Sequence, residues 1–198
     1  MSVSLVVEGQ GDYHAVPLLL KTAGATVGSR SCFGGQGVDC TLDVLVRRKL
    51  LPHTAAQIMK RPSKVIVIID REARSDCPGD FAARVHAELV SQLQASSSYQ
   101  GSPPVSVICA DRSLENWLVA DPSGLRQHAY IVRDVRNRVG RNADSQDAVA
   151  MIKWAYGSRR SYEKARDAPR LAVKVRTFRN DVRQRSKSLD KLLREAGV

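Results

Sequence analysis

The sequence has no Gly-x-x-x-x-Gly-Lys-Ser/Thr stretch, so it carries no phosphate cradle for a nucleoside triphosphate of its own. It has no Cys-x-x-Cys pair either. Cys32, Cys40, Cys77 and Cys109 are scattered, without histidines at ligand spacing, which leaves zinc and dithiol redox chemistry little support. Reduced, mostly buried thiols are the expectation. Gly9-Gln10-Gly11 lacks the third glycine of a dinucleotide fingerprint, His14 standing there instead, and two acids would face the pyrophosphate. No apolar run approaches the ~18 residues of a membrane span. No basic n-region or cleavage pattern precedes the first strand, and no segment repeats. A soluble, cytoplasmic protein is expected.

What is present is enough for a well-buried domain, perhaps with a small appendage: 198 residues, 43% of them hydrophobic. The net charge of +11 is uneven. Residues 1–125 hold 12 Lys and Arg against 12 Asp and Glu, whereas residues 126–198 hold 19 against 8. The whole excess thus lies in the C-terminal third. Such asymmetry suits a surface that meets a polyanion, nucleic acid first, because each basic side chain on a phosphate releases a counterion. A merely solvated basic surface is the competing reading.

Continuous Val and Leu over 3–8 predict a parallel strand covered on both faces. Gly9 and Gly11 then turn the chain, and Asp12 is placed to cap a helix over 13–23 that Gly24 stops. Residues 24–40, rich in Gly and Ser around Gly34-Gly35-Gln36-Gly37, read as a loop with at most a short strand. Helical pattern returns over 41–51 and 53–60. Five consecutive Val and Ile residues make 64–69 the strongest strand. A helix capped by Asp80 to about 94, a strand over 105–110, and a helix over 114–118 stopped at Asp121-Pro122 follow. From Ser145 onward the pattern is helical, with Pro169 interrupting. The expected architecture is α/β, a parallel sheet flanked by helices over 1–125 and a basic helical region over 126–198 packed on it or extending it.

Two acidic clusters stand where apolar strands run out, Glu8 to Asp12 and Asp70-Arg71-Glu72. A carboxylate there sits on the edge where open α/β sheets place ligands. Glu8, before a glycine that leaves room for a phosphate, suits a general acid/base or a metal ligand. Asp12 serves as ligand or simply as cap. Asp70 and Glu72, two apart at a strand end, point the same way if the extended geometry persists and could share a hard cation such as Mg²⁺. The alternative is a solvated loop in which Arg71 and Arg74 pair with them. Glu115 lies one turn into a helix after the third strand, either joining this site or facing water. Trp117, Trp154 and Tyr156 read as packing. Arg176, Arg179 and Arg183, with Arg185 beyond, recur at helical spacing in a basic run over 174–185, which reads either as a helix with one face to phosphates or as an ordinary amphipathic helix.

Glu8-Gly9 and the later acidic pair make the chain resemble a TOPRIM domain, the Mg²⁺-dependent fold of topoisomerases, primases and the overcoming-lysogenization-defect family of nucleases. Asp70-Arg71-Glu72 departs from that family's Asp-x-Asp by ending in Glu. Asp76-Cys77, Glu115-Asn116-Trp117 with Asp121, and Arg185-Ser186-Lys187-Ser188 resemble small stand-alone bacterial TOPRIM-like proteins, often encoded beside an ATPase and linked to phage defence. The resemblance implies that Glu8, Asp70, Glu72 and Glu115 hold Mg²⁺ or Mn²⁺ and that phosphodiester bonds in DNA or RNA are hydrolysed. Glu8, Asp70 and Glu72 would then do the chemistry, with Lys164 or a C-terminal arginine steadying charge on the phosphate. It also implies an ATPase partner. Two rival expectations stand beside it: a binding or docking module on the same scaffold without turnover, and a receiver-like domain with a phosphorylatable Asp70.

Overall fold

The computed structural model describes residues 2–34, 40–71, 74–95, 99, 102–158 and 160–198. Its centre is a four-stranded, wholly parallel sheet of β1 (Ser2–Val7), β2 (Thr26–Cys32), β3 (Lys64–Asp70) and β4 (Val105–Ala110), in the order β2-β1-β3-β4. The sequence expectation of a parallel α/β layer is met, with one strand more. Residues 26–32 form a full seven-residue strand, with Leu5 level with Arg30, where a loop with at most a short strand was expected.

Parallel strands need crossovers, and helices supply them. α1 (Gln10–Thr22) joins β1 to β2. α2 (Leu42–Val44) runs through a π-helical stretch (Leu45–Leu50) into α3 (Leu51–Ile58) before β3, and α4 (Pro78–Gln94) leads to β4. After the sheet come α5 (Leu114–Val119), α6 (Pro122–Leu125), α7 (Ala148–Tyr156), α8 (Lys164–Ala172), α9 (Asn180–Arg185) and α10 (Lys187–Glu195).

The alternation of each strand divides the core in two. Leu5 and Val7, Ile66 and Ile68, and Ile108 and Ala110 point to the face covered by α1, α5, α7, α8 and α10. Val6, Val65, Val67, Ile69, Val107 and Cys109 point to the face covered by the π-helical stretch, α3 and α4. C-terminal helices thus pack into the same core as the N-terminal strands. Lys64 and Ser106 fasten α10 to the sheet through Glu195, at 2.9 and 2.7 Å.

Several local expectations are corrected. The N-cap of α1 is Gly9, and Asp12 sits at the third helical position, its carboxylate turned back to the Gly9 N–H at 3.0 Å. Cys77 rather than Asp80 caps α4. Pro169 lies inside α8, which runs on past it to Ala172 and is not interrupted there. All four cysteines are free thiols, but only Cys109 is buried, contrary to the expected mostly buried set. Among the described residues no helix is long and apolar enough to cross a membrane.

Candidate functional site

In the order β2-β1-β3-β4 the chain leaves β1 toward one side of the sheet and leaves β3 toward the other. A crevice therefore opens beyond the carboxyl ends of these two neighbouring strands, the place where open α/β sheets bind ligands. Glu8 follows β1 directly and Asp70 ends β3. They meet there, for Glu8 Oε2 accepts a hydrogen bond from the Asp70 N–H at 3.2 Å.

Two more acids join from neighbouring helices. Asp12, on the first turn of α1, gives one oxygen to Gly9 N–H and presents the other to Lys164 Nζ at 3.2 Å. Glu115, on the first turn of α5, accepts from Tyr162 Oη at 2.9 Å through Oε1. Its Oε2 is buried and accepts no hydrogen bond; the Lys164 ammonium lies 3.8 Å away. Lys164 opens α8 and reaches back to Asp70 Oδ2 as well, at 3.3 Å. Its stem crosses Gly11, where a Cβ would stand 2.6 Å from Lys164 Cγ, so only glycine leaves that path clear.

Glu8 is 8% exposed, Asp12 3%, Asp70 8% and Glu115 1%. Four carboxylates thus gather out of water, three of them around the Lys164 ammonium. Burial pushes the Asp70 carboxyl well above the usual range, and Asp12, Glu8 and Glu115 push the same way while Lys164 pulls it back. Burial likewise raises Asp12, against the pull of Lys164. For Lys164, burial favours the neutral amine, but Asp70, Asp12 and Glu115 outweigh it and hold the group as ammonium. Burial and then Glu115 raise Tyr162, which stays a neutral donor. Burial, with Asp70 beside it, pushes the Cys109 thiol up to about 12, so that sulfur is no nucleophile at neutral pH.

The donor set is all oxygen, its charge exceeds what one lysine neutralises, and one buried carboxylate oxygen has no hydrogen-bond partner. That is the chemistry of a hard divalent cation such as Mg²⁺. Among the described residues no group of three or more His, Cys, Asp or Glu side chains is disposed to hold a metal ion as it stands; the Lys164 ammonium lies among Asp12, Asp70 and Glu115.

Of the residues expected at the site, Glu8, Asp70, Glu115 and Lys164 come together, and Asp12 joins them. Glu72 lies outside the described residues, as do Gly35, Gln36 and Gly37 of the glycine-rich loop. The loop arginines do not neutralise Asp70: Arg71 pairs with Asp111 at 2.5 Å and Arg74 with Asp76 at 3.1 Å. The remaining motif residues hold the fold. Asn116 clamps the carbonyls of Ala143, Asp144 and Gln146, and buried Trp117 donates to Ser188 Oγ at 2.7 Å. Asp144 receives both Ser186 and Ser188, and Ser186 caps α10.

The expected phosphate-facing helix over 174–185 is corrected. α8 ends at Ala172 and α9 starts only at Asn180, so Arg176, Arg179, Arg183 and Arg185 do not share one helix face. Each is tied to an acid: Arg176 to Asp121 at 2.6 Å, Arg179 to Asp181 at 2.8 Å, Arg183 to Asp190 at 2.6 Å and Arg185 to Asp181 at 3.1 Å. Tyr162 went unrecognised in the sequence. Its only signal is an aromatic hydroxyl two residues before Lys164.

No protein-family model matches the chain, and no curated protein matches it. Among solved structures the chain is similar to the C-terminal region of the Burkholderia pseudomallei OLD protein, at 13% identity and a TM-score of 0.44, over 96% of this chain and 98% of that one. The likeness is slight, and neither the fold nor the site described above leans on it.

Proposed function

We propose that this chain is a metal-dependent hydrolase of phosphodiester bonds in DNA or RNA, of TOPRIM type. The observation that supports it is the meeting of Glu8 and Asp70 at the carboxyl ends of adjacent parallel strands, with Glu115 and Asp12 turned to the same place. Glu8, Asp70 and Glu115 would hold the ion, with Glu72 two residues from Asp70 in sequence. Mg²⁺ or Mn²⁺ bound there supplies positive charge to the phosphate oxygens and lowers the pKa of water.

The rest falls to the protein. Glu8 accepts the proton of the attacking water. Tyr162, held neutral, donates to Glu115 Oε1 and fixes that carboxylate's orientation. Lys164, about one-third exposed, supplies a positive charge for the phosphate. The basic C-terminal third draws the polyanion to the site, and a separate ATPase supplies the nucleotide-driven step that this chain has no P-loop to perform.

Replacing Asp70 or Glu8 with Ala abolishes Mg²⁺-dependent cleavage of plasmid, single-stranded DNA or RNA and leaves the circular dichroism spectrum unchanged. Undiminished cleavage by purified Asp70→Ala protein overturns the assignment. A second reading, a binding or docking module without turnover, is favoured by the lysine that already balances part of the cluster's charge. It predicts no cleavage by wild type with either metal, and salt-sensitive nucleic-acid binding with no metal uptake. A receiver-like role for Asp70 leaves the basic third without a purpose.

A further inference from the structure

Lys164 is placed oddly for a residue that only steadies substrate. Its ammonium does not look outward from the crevice; it lies within 3.8 Å of three buried carboxylates, the position their charges most favour for any cation. We infer that Lys164 is the resident cation of the cluster, and that a divalent ion enters by displacing its side chain from the seat that Gly11 leaves for it. This rests on the reading above that the cluster takes a divalent ion.

Four observations carry it. Glu115 Oε2, buried and without a hydrogen bond, faces the same ammonium at a distance too long to satisfy it, as a ligand held for a different cation would be. The lysine side chain is 34% exposed while its three partners are almost wholly buried, so it has a way out and they do not. Its stem is seated against Gly11, in a place that a Cβ there would contest at 2.6 Å. Its backbone, in contrast, is fixed. Asp167 on the same turn of α8 is buried, accepts from the Glu163 N–H at 3.0 Å and is gripped by Arg166 at 2.8 Å. Displacement is therefore a side-chain event, not a movement of α8.

Four buried carboxylates without a counter-ion repel one another, so the lysine keeps the metal-free protein folded and lowers the net affinity for the ion that replaces it. Two charged guests compete for one place, and removing one strengthens the other.

The test is calorimetric titration of the chelator-stripped, full-length protein with MnCl₂, paired with melting curves with and without metal. Lys164→Met is expected to lower the metal-free Tm and to bind Mn²⁺ about tenfold more tightly than wild type, a normal size for such coupling. Its Tm rises more on metal addition than the wild-type Tm does. If Lys164→Met folds only with metal present, Gly11→Ala decides the matter: it keeps every charge, crowds the lysine stem and is expected to tighten Mn²⁺ binding by a smaller factor. Wild-type affinity or weaker in both variants, with wild type binding the ion, overturns the resident-cation inference and leaves the metal site standing. No uptake by wild type, Lys164→Met or Gly11→Ala overturns the metal reading itself.

Discussion

The burial of Asp70 opposes stability at the place where the proposed chemistry needs a carboxylate. Its carboxyl is raised above the ordinary value, so the ionised form is less welcome in the folded than in the unfolded chain. For an acid shifted this way, the contribution to stability falls as pH rises from the unfolded value through the folded one. At neutral pH and in chelator, Asp70→Asn is therefore expected to melt ~2–4 °C above wild type, the span of about 1 kcal/mol in a chain of this size, while losing metal-dependent cleavage. Scanning calorimetry at pH 7 checks it, and the gap should narrow toward acid pH. At this scale the sequence told much about Glu8 and Asp70, because both follow apolar strands and strand ends have a known place in an α/β sheet. It told less about Asp12, since a cap and a third helical position look alike until the extended backbone of Gly9 claims the cap. Lys164 meets Asp70 across 94 residues, and Tyr162 meets Glu115 across 47. No local spacing encodes such partners.

At the scale of elements, the basic run after α8 shows why periodicity can mislead. Arginines at helical spacing would form a helix if nothing else claimed them, but Asp121 takes both the backbone N–H of Arg176 at 2.9 Å and its guanidinium through both carboxylate oxygens. Buried Thr177 then donates to the Leu19 carbonyl and shares a hydrogen bond with Thr22 at 2.8 Å. These contacts fasten residues 176 and 177 to α1 and α6, so the helix resumes only at Asn180. Burial alone would raise Asp121, but the Arg176 contacts and Gly124 N–H bring it below the ordinary value of 3.8. A depressed carboxylate stabilises above its unfolded pKa and loses that contribution as pH falls through the folded one. Asp121→Asn should thus cost roughly 1–3 kcal/mol at neutral pH, with the difference from wild type shrinking below pH 3.8; urea melts across the acid range measure it. The expectation of a loop with at most a short strand in place of β2 has another cause. It lies at the sheet edge, its side chains half-exposed, and Thr-Val-Gly-Ser-Arg-Ser-Cys carries little of the apolar pattern that reveals a buried strand.

Over the whole molecule, the surplus of positive charge is not where the densest basic run lies. That run is tied up internally, whereas Arg133 and Arg138 are exposed, stack on Trp154 at 5.4 and 4.0 Å, and have no carboxylate partner among the described residues. A guanidinium held over an indole ring by cation–π attraction still has N–H groups to offer a phosphate. If the proposed substrate is bound there, Arg138→Ala lowers the slope of log affinity against log salt by about 1, and Arg179→Ala, already paired with Asp181, leaves it near wild type. Equal losses in the two variants would contradict this placement. The α/β class and its sheet edge were legible in composition and strand pattern. The assembly of distant helices over that edge was not, because it depends on packing that only the folded chain displays.

The proposed activity requires Glu8 and Asp70 to share a divalent ion. Crystals grown with MnCl₂ and measured for anomalous scattering test it most directly. A manganese peak at ligating distance from both carboxylates, with the Lys164 ammonium displaced, is the expected result; full Mn²⁺ loading with no peak between them would contradict a shared ion.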